Sequence, residues 1–222
     1  MLKINNEPKD IAFAILVGGK STRFGSDKGL YEFQGKPLVS FLLDTLSEGA
    51  YDVFLIANSH KQVQNYINNI DIKKIIAFIL DDKNLVPNLK LHAPLLGLYS
   101  AYKELSKLGY KRTFTLSCDT PLIKYEVIKF IIEESKGYDC CIPRWNNGYI
   151  EPLLAIYPTK SAYLRSEEKL LKEEFQLTSL ANNKWKIKYL SIEDSIKPFD
   201  EDLVSFININ TQEDLKRLKV SS

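Results

Sequence analysis

Short apolar runs alternate along the chain with longer stretches in which apolar residues recur at helical spacing. The runs are typical of strands buried on both faces, and they lie at residues 11–17, 51–57, 74–80, 112–117 and 139–143. The periodic stretches predict helices that begin near residues 37, 58, 95 and 124. Because strands and helices alternate, we expect an α/β fold: a three-layer, Rossmann-like, mostly parallel sheet with helices on both faces.

The last third of the chain continues this pattern less regularly. It predicts strands at 151–157, 186–190 and 206–210, of which 186–190 is an edge strand, and helices at 159–174 and 211–219. Asn210 or Thr211 is the expected cap of the closing helix. Since no repeat, low-complexity tract or linker interrupts the chain, we expect a single domain over residues 1–222.

Small or polar residues stand directly after several of the predicted strands. They are Gly18-Gly19, Asn58, Asp81-Asp82 and Asp119. In an open parallel sheet the carboxyl ends of the strands share one edge, and ligands bind there. We therefore expect these residues to meet at one site.

The segment after the first strand carries two fixed cations, Arg23 and Lys28, behind Gly18-Gly19. Glycines let backbone N–H groups approach an anion and the cations neutralise it, so the segment is typical of a phosphate-binding loop. It does not fit the P-loop pattern, because Ala14 occupies the position of that pattern's first glycine. The glycine spacing also departs from the dinucleotide-binding fingerprint.

Charge, cysteine count and hydropathy argue against several classes of partner and favour the cytoplasm. A formal net charge of +2 predicts no nucleic-acid partner. The odd set of Cys118, Cys140 and Cys141 forms no disulfide framework, and His60 and His92 lie outside any zinc-ligand spacing. The polar N-terminus lacks a signal core, and no apolar run approaches the length of a membrane span, so we expect a cytoplasmic protein without membrane contact.

Residues 16–28, LVGGKSTRFGSDK, and residues 35–38, GKPL, resemble the opening motif of the molybdenum cofactor guanylyltransferase family. That motif is close to L-A-G-G-x-S-x-R-M-G-x-D-K, followed by G-x-P-L. The sequence departs from it at Val17, where the family has Ala, and at Phe24, which is usually Met, while Thr22 falls at a variable position. Later segments match family motifs in order: APLLGL at 93–98, CDTPL at 118–122, EPL at 151–153 and NINTQEDL at 208–215.

The resemblance implies a fold of the nucleotide-diphospho-sugar transferase type. It implies an enzyme that uses Mg²⁺ to transfer GMP from GTP to molybdenum-bound molybdopterin, with release of pyrophosphate. The domain would divide into a nucleotide half at about 11–122 and an acceptor half at about 123–219. Transient contacts with molybdenum-cofactor synthesis proteins or molybdoenzymes are also implied.

Arg23, Lys28 and Asp119 occupy the positions of the expected catalytic groups. The planar guanidinium of Arg23 suits the β- and γ-phosphates, and the point charge of Lys28 suits the α-phosphate. Asp119 is expected to hold Mg²⁺, and it can also cap the helix that follows. Cys118 has no histidine or other base nearby in sequence, so we expect a buried residue and no nucleophile.

The resemblance assigns further residues to each substrate. The expected nucleotide-binding residues are Leu16, Val17, Gly18, Gly19, Lys28, Asn58, Asp82, Gly97 and Asp119. The expected acceptor-side residues are Glu151, Asn208 and Asn210.

Structural alternatives remain for several of these positions. Asn58 and Asp82 are also ordinary turn residues, and Asp81 is an alternative to Asp82. Glu151 also fits a buried structural carboxylate. Asn208 and Asn210, which share a face if 206–210 is a strand, also fit strand-end and capping polarity.

The sequence Leu16-Val17-Gly18-Gly19 favours GTP, because guanylyl members tend to have L-x-G-G where cytidylyl and sugar-phosphate relatives more often have L-A-A-G. A related nucleotidyltransferase that uses CTP or a sugar-phosphate acceptor is the alternative enzyme. A non-catalytic nucleotide-binding paralogue is the alternative from another functional class.

Overall fold

A computed structural model describes residues 10–17, 27–85, 93–211 and 213–214. Within these ranges, seven strands form one sheet in the order β3-β2-β1-β4-β6-β5-β7. The strands are β1 Ile11–Leu16, β2 Asp52–Ala57, β3 Ala77–Leu80, β4 Arg112–Ser117, β5 Cys140–Arg144, β6 Leu154–Pro158 and β7 Ile187–Ser191. A separate two-stranded hairpin pairs Glu32–Phe33 with Lys36–Pro37.

Six strands of the sheet run in one direction, and β6 runs against both of its neighbours. Its first residue, Leu154, pairs with Leu116 near the end of β4, and its last, Pro158, pairs with Arg112. The predicted mostly parallel sheet is confirmed. Because β6 is reversed, the connection 145–153 that precedes it lies at the edge where the parallel strands end.

Helices cover both faces of the sheet. They are α1 Leu38–Ser47, α2 His60–Asn69, α3 Pro94–Lys107, α4 Tyr125–Glu134 and α5 Thr159–Leu171. Along β1, Phe13 and Ile15 belong to a core shared with α1, α2 and α4, whereas Ala14 and Leu16 belong to a second core shared with α3 and α5. This alternation gives β1 two buried faces and confirms the three predicted layers. In the described ranges, no helix combines the length and apolarity that crossing a bilayer requires.

The predicted strand at 206–210 is wrong. Val204–Phe206 is a single 3-10 turn, and residues 207–210 have no regular structure. The segment is instead fixed by side chains and one backbone bond: the N–H of Ser205 donates to buried Asp200 at 2.8 Å, and the N–H of Ile209 donates to the carbonyl of Asp119 at 2.8 Å. The pattern of FININ therefore reflects a loop in which Phe206 and Ile209 are buried, and no strand.

The cap of the closing helix agrees with the prediction. The hydroxyl of Thr211 accepts from the N–H of Asp214 at 3.2 Å, and the carboxylate of Asp214 accepts in return from the N–H of Thr211 at 2.8 Å. The rest of the predicted helix, at 215–219, lies outside the described residues.

Candidate active site at the carboxyl ends of β1 and β4

The chain passes from β1 to β2 and β3 on one side and then returns to β4 on the other side of β1. This reversal is a topological switch point, where open α/β sheets bind their ligands. Leu16 pairs with Ser117, so the segments that follow β1 and β4 leave the sheet side by side. The expected catalytic residues Lys28 and Asp119 belong to those two segments.

Lys28 begins a short 3-10 turn, Lys28–Leu30, whose cap is Asp27. The Asp27 carboxylate accepts from the N–H of Gly29 at 3.1 Å. From this turn the Nζ of Lys28 reaches Asn210, whose Oδ1 accepts its hydrogen bond at 3.0 Å, and lies 3.5 Å from Oδ2 of Asp119. The structure thus brings Lys28, Asp119 and Asn210 together from three distant parts of the chain.

Asp119 presents a donor of the type that a divalent cation requires. Its side chain is 27% exposed, and Lys28 is its ion-pair partner in the described part of the chain. No group of three or more His, Cys, Asp or Glu side chains that could hold a metal occurs among the described residues. A single carboxylate beside a cation fits Mg²⁺, which takes one or two carboxylates and completes its shell with phosphate oxygens and water.

A cavity of about 110 Å³ opens beside Asp119, where the acceptor is expected. The cavity is lined by the segment after β4, by the start of β6 with the residues before it, and by the segment 206–208. The lining residues are Asp119, Thr120, Glu151, Pro152, Leu153, Leu154, Phe206 and Asn208. Both Glu151 and Asn208, expected on the acceptor side, line it. Asn210 lies instead against Lys28, so the two asparagines contact different parts of the site.

Glu151 is held from two sides in this cavity. Its backbone N–H donates to the carbonyl of Pro143 at 2.9 Å, and its Oε1 accepts from Nε1 of Trp145 at 2.7 Å. Burial raises the pKa of Glu151; the Trp145 hydrogen bond opposes the rise, and the nearby charge of Asp119 adds to it. Trp145 also packs edge-on against Phe206, with ring centroids 5.6 Å apart.

The two neighbouring aspartates after β3 have different surroundings. Both carboxylate oxygens of Asp82 accept hydrogen bonds. Oδ2 accepts from Nζ of Lys103 at 2.6 Å, and Oδ1 accepts from the N–H of Asn84 at 3.1 Å. The Lys103 bond lowers the pKa of Asp82. Asp81 has no hydrogen bond to its carboxylate from the described residues, and burial raises its pKa to about 6, with Lys83 offsetting part of the effect.

Gly97 lets α3 approach the end of β1. A Cβ at this position would lie 2.6 Å from Cδ2 of Leu16 and 3.4 Å from Oδ1 of Asp81. A side chain here would require either the buried Leu16 side chain or the helix to shift. The structure thus joins three of the expected nucleotide-side positions, Leu16, Gly97 and the alternative Asp81, in one contact.

Cys118 is buried directly after β4, as expected. Burial, with a contribution from the charge of Asp119, raises its thiol pKa well above the usual range. A protonated, buried thiol is a poor nucleophile. Covalent catalysis through Cys118 therefore finds no support in its surroundings.

Gly18, Gly19 and Arg23 lie outside the described residues. Leu16 and Val17 are buried at the end of β1. Asn58 follows β2, and its N–H donates to the side chain of Gln62 on α2 at 2.9 Å.

Sequence reasoning missed Asp27, Gln62, Tyr66 and Trp145 as parts of the site. Gln62 and Tyr66 are the buried residues of α2, an otherwise polar helix. The signal was faint: one glutamine and one tyrosine at i and i+4 on a helix whose other residues, apart from half-buried Val63, are exposed.

The family described as the MobA-like NTP transferase domain matches residues 13–183. A probable molybdenum cofactor guanylyltransferase of Thermococcus gammatolerans is 33% identical over 209 residues, covering 92% of this chain and 97% of that protein. A protein of the same name in Natranaerobius thermophilus is 32% identical over 213 residues, covering 95% of each.

The fold is shared with a solved structure. The crystal structure of molybdopterin-guanine dinucleotide biosynthesis protein A from Archaeoglobus fulgidus has a TM-score of 0.74 at 27% identity, covering 95% of this chain and 97% of that one. The resemblance inferred from the motifs is therefore confirmed across most of the chain. On this similarity of sequence and fold, the protein belongs to the family of MobA-like NTP transferases.

Proposed function

We propose that this protein transfers GMP from GTP to the phosphate of molybdenum-bound molybdopterin. An oxygen of the acceptor phosphate forms the new bond to the α-phosphorus of GTP, while the bond from that phosphorus to the pyrophosphate oxygen breaks. The observation that carries the proposal is the pair of Lys28 and Asp119, 3.5 Å apart at the switch point of the sheet. Relatives named molybdenum cofactor guanylyltransferase support this choice of nucleotide and acceptor.

The chain contributes positioning and charge to this reaction. Lys28 neutralises the charge that builds on the α-phosphate, and Arg23 holds the β- and γ-phosphates. Asp119 would hold Mg²⁺, which would supply further positive charge to the phosphate oxygens. Because Lys28 contacts Asp119, the lysine and the cation would act on the same phosphate.

On the nucleotide side, we assign the base contact to the region between Asn58, Asp81 and Gly97. Guanine presents N–H donors, and a carboxylate without other partners accepts them well. The contacts favour Asp81 over Asp82 for this role, since Lys103 and Asn84 already occupy the Asp82 carboxylate. Asp82 then fixes the backbone beside the base.

On the acceptor side, the cavity at Glu151 and Asn208 receives the molybdopterin phosphate next to Asp119. Asn208 offers an amide donor to phosphate oxygens. Glu151, whose pKa burial raises, holds Trp145 against the cavity wall. In-line transfer requires the acceptor phosphate to lie opposite the pyrophosphate leaving group, across the α-phosphate that Lys28 neutralises.

A nucleotide-by-acceptor panel tests the proposal. Purified protein with Mg²⁺ receives GTP, CTP, UTP or ATP together with molybdenum-bound molybdopterin, a sugar 1-phosphate or no acceptor, and pyrophosphate release is measured. We expect release with GTP and molybdopterin. Asp119→Asn should lower it at least about 100-fold, whereas Asp202→Asn, which alters an exposed carboxylate, should leave it unchanged.

Each other result has a defined meaning. Preferential release with CTP contradicts guanine selection, and release with a sugar 1-phosphate alone supports the alternative enzyme. GTP binding without release for any acceptor supports a non-catalytic nucleotide-binding protein.

A further inference from the structure

A buried glutamine on α2 links three segments of the nucleotide side. The side chain of Gln62 is 7% exposed. Its Nε2 donates to the carbonyl of Val17 at 2.9 Å and to Oδ2 of Asp27 at 2.5 Å, and its Oε1 accepts from the N–H of Asn58 at 2.9 Å. One amide therefore joins the end of β1, the end of β2 and the cap of the turn that carries Lys28.

A buried tyrosine on the same face of α2 holds the other oxygen of Asp27. The hydroxyl of Tyr66 donates to Oδ1 of Asp27 at 2.7 Å, and the side chain is fully buried. Burial, together with the neighbouring Cys118 thiol and the charge of Asp27, raises the pKa of Tyr66 well above its usual value. The hydroxyl therefore remains a donor at every pH at which the protein works.

The turn itself rests on the tyrosine ring through Gly29. A Cβ at Gly29 would lie 2.2 Å from the hydroxyl oxygen of Tyr66, 3.2 Å from its Cζ and 3.5 Å from Sγ of Cys118. The backbone of Gly29 does not lie in the left-handed region, so this contact alone demands glycine. The position of Lys28 is thus fixed by the packing of Gly29 against Tyr66 and by the Asp27 cap.

We propose that Gln62 and Tyr66 are positioning residues for Lys28. They contact no substrate; they hold Asp27, and through it the turn Lys28–Leu30, at a set distance from β1 and from Asp119. The catalytic consequence rests on the proposed function, because it assumes that Lys28 neutralises the α-phosphate. A displacement of about 1 Å at such a group costs on the order of 100-fold in rate.

Substitutions at Gly29 and Tyr66, alone and combined, test whether their contact positions Lys28. Tyr66→Phe removes the hydroxyl that holds Asp27, and Gly29→Ala introduces the clash. In the double variant G29A/Y66F the clashing oxygen is absent, and the new methyl group meets Cζ at 3.2 Å. The matched control is Tyr110→Phe, since buried Tyr110 donates to Asp52 at 2.5 Å near the opposite edge of the sheet.

Two measurements are made on each full-length variant, with circular dichroism to establish folding. The first is kcat and KM for GTP from pyrophosphate release. The second is the rate of reductive methylation of the Lys28 amine, quantified by mass spectrometry relative to Lys103, which is paired with Asp82. The second measurement needs no turnover and therefore tests the positioning even if the proposed function fails.

We expect Tyr66→Phe to lower kcat about tenfold with little change in KM, and to speed labelling of Lys28 relative to Lys103. Gly29→Ala should lower kcat about 100-fold, and G29A/Y66F should recover much of the way toward the level of Y66F, since the remaining contact at 3.2 Å asks for only a small shift. Tyr110→Phe should change neither measurement. The proposal is overturned if Y66F matches Y110F in Lys28 labelling, or if the double variant is no better than Gly29→Ala. Absence of pyrophosphate release by the wild-type protein would count against the proposed function alone.

Discussion

The amine of Lys28 lies 3.5 Å from Oδ2 of Asp119, although one residue follows β1 and the other follows β4. The two strands are parallel neighbours in the sheet, and Leu16 pairs with Ser117. Chain segments that leave such neighbours at the same end emerge together. The relationship is therefore a consequence of strand order, which places the amine of Lys28 beside the carboxylate of Asp119.

Replacing Lys28 by alanine should lower kcat about 100-fold, because in the proposed mechanism the lysine neutralises charge that exists mainly in the transition state. KM for GTP should change much less. Steady-state kinetics of pyrophosphate release measures both quantities. Lys136→Ala, which removes an exposed lysine paired with Glu133, is the control and should behave as the wild type. A tenfold rise in KM with unchanged kcat would show that Lys28 only binds substrate.

Asp81 should make the protein less stable as the pH rises. Burial raises its pKa to about 6, above the unfolded value near 3.8, so the folded state binds more protons between these pH values. The free energy of unfolding therefore falls through this window, by roughly 2–3 kcal/mol for this group alone. Asp81→Asn should stabilise the protein at pH 8 and give little or no gain near pH 4, as measured by urea denaturation.

The same variant gives a second measurement. If Asp81 accepts from the base, then Asp81→Asn should weaken GTP binding more than Asp82→Asn does, in calorimetric titrations at pH 8. Equal affinities for the two variants would remove Asp81 from the base contact.

In Trp145→Phe, the fall of kcat/KM for molybdopterin on the acidic side of its pH profile should occur at higher pH than in the wild type. Burial raises the pKa of Glu151, and the indole N–H opposes the rise by donating to the charged carboxylate. Phenylalanine keeps the ring but removes this donor, so the pKa of Glu151 should rise further. The pH dependence of kcat/KM for molybdopterin measures the shift, and an unchanged acid limb would show that Glu151 does not control it.

Asp200→Asn should destabilise the fold by about 1–3 kcal/mol at neutral pH. Burial opposes ionisation of Asp200, but its bonds to Ser205 and Lys124 outweigh this effect and lower its pKa. A lowered folded pKa contributes stability that is present above the unfolded pKa and lost as the pH falls through the folded value. The difference between variant and wild type should therefore shrink below about pH 4.

The control for Asp200 is an exposed pair. Glu133→Gln removes the salt bridge to Lys136, in which both side chains are largely exposed, and should leave the urea midpoint nearly unchanged. A comparable loss in both variants would mean that burial of Asp200 contributes nothing.

The mostly parallel sheet and the meeting of Lys28 with Asp119 could be predicted, because they follow from the alternation of strands and helices and from the rule that parallel strands end at one edge. The network of Gln62 and Tyr66 could not, since no local pattern distinguishes a buried glutamine from an exposed one on a polar helix. The alternation in residues 206–210 was misleading for a related reason. Periodicity reports which side chains are buried, but it does not report the backbone conformation. The buried hydrogen bond between Ser205 and Asp200 shows that a loop held by side chains can bury apolar residues as a strand does.

The reversed direction of β6 separates the two substrate sides along the chain. Since β5 ends and β6 begins at the same edge, the connection 145–153 leaves and re-enters the sheet beside Asp119 without crossing the molecule. Surface connections of this kind tolerate insertion and replacement while the flanking strands keep their register. If this connection binds the acceptor, as the proposed function has it, then a change confined to residues 145–153 would direct the same transfer chemistry to a new acceptor.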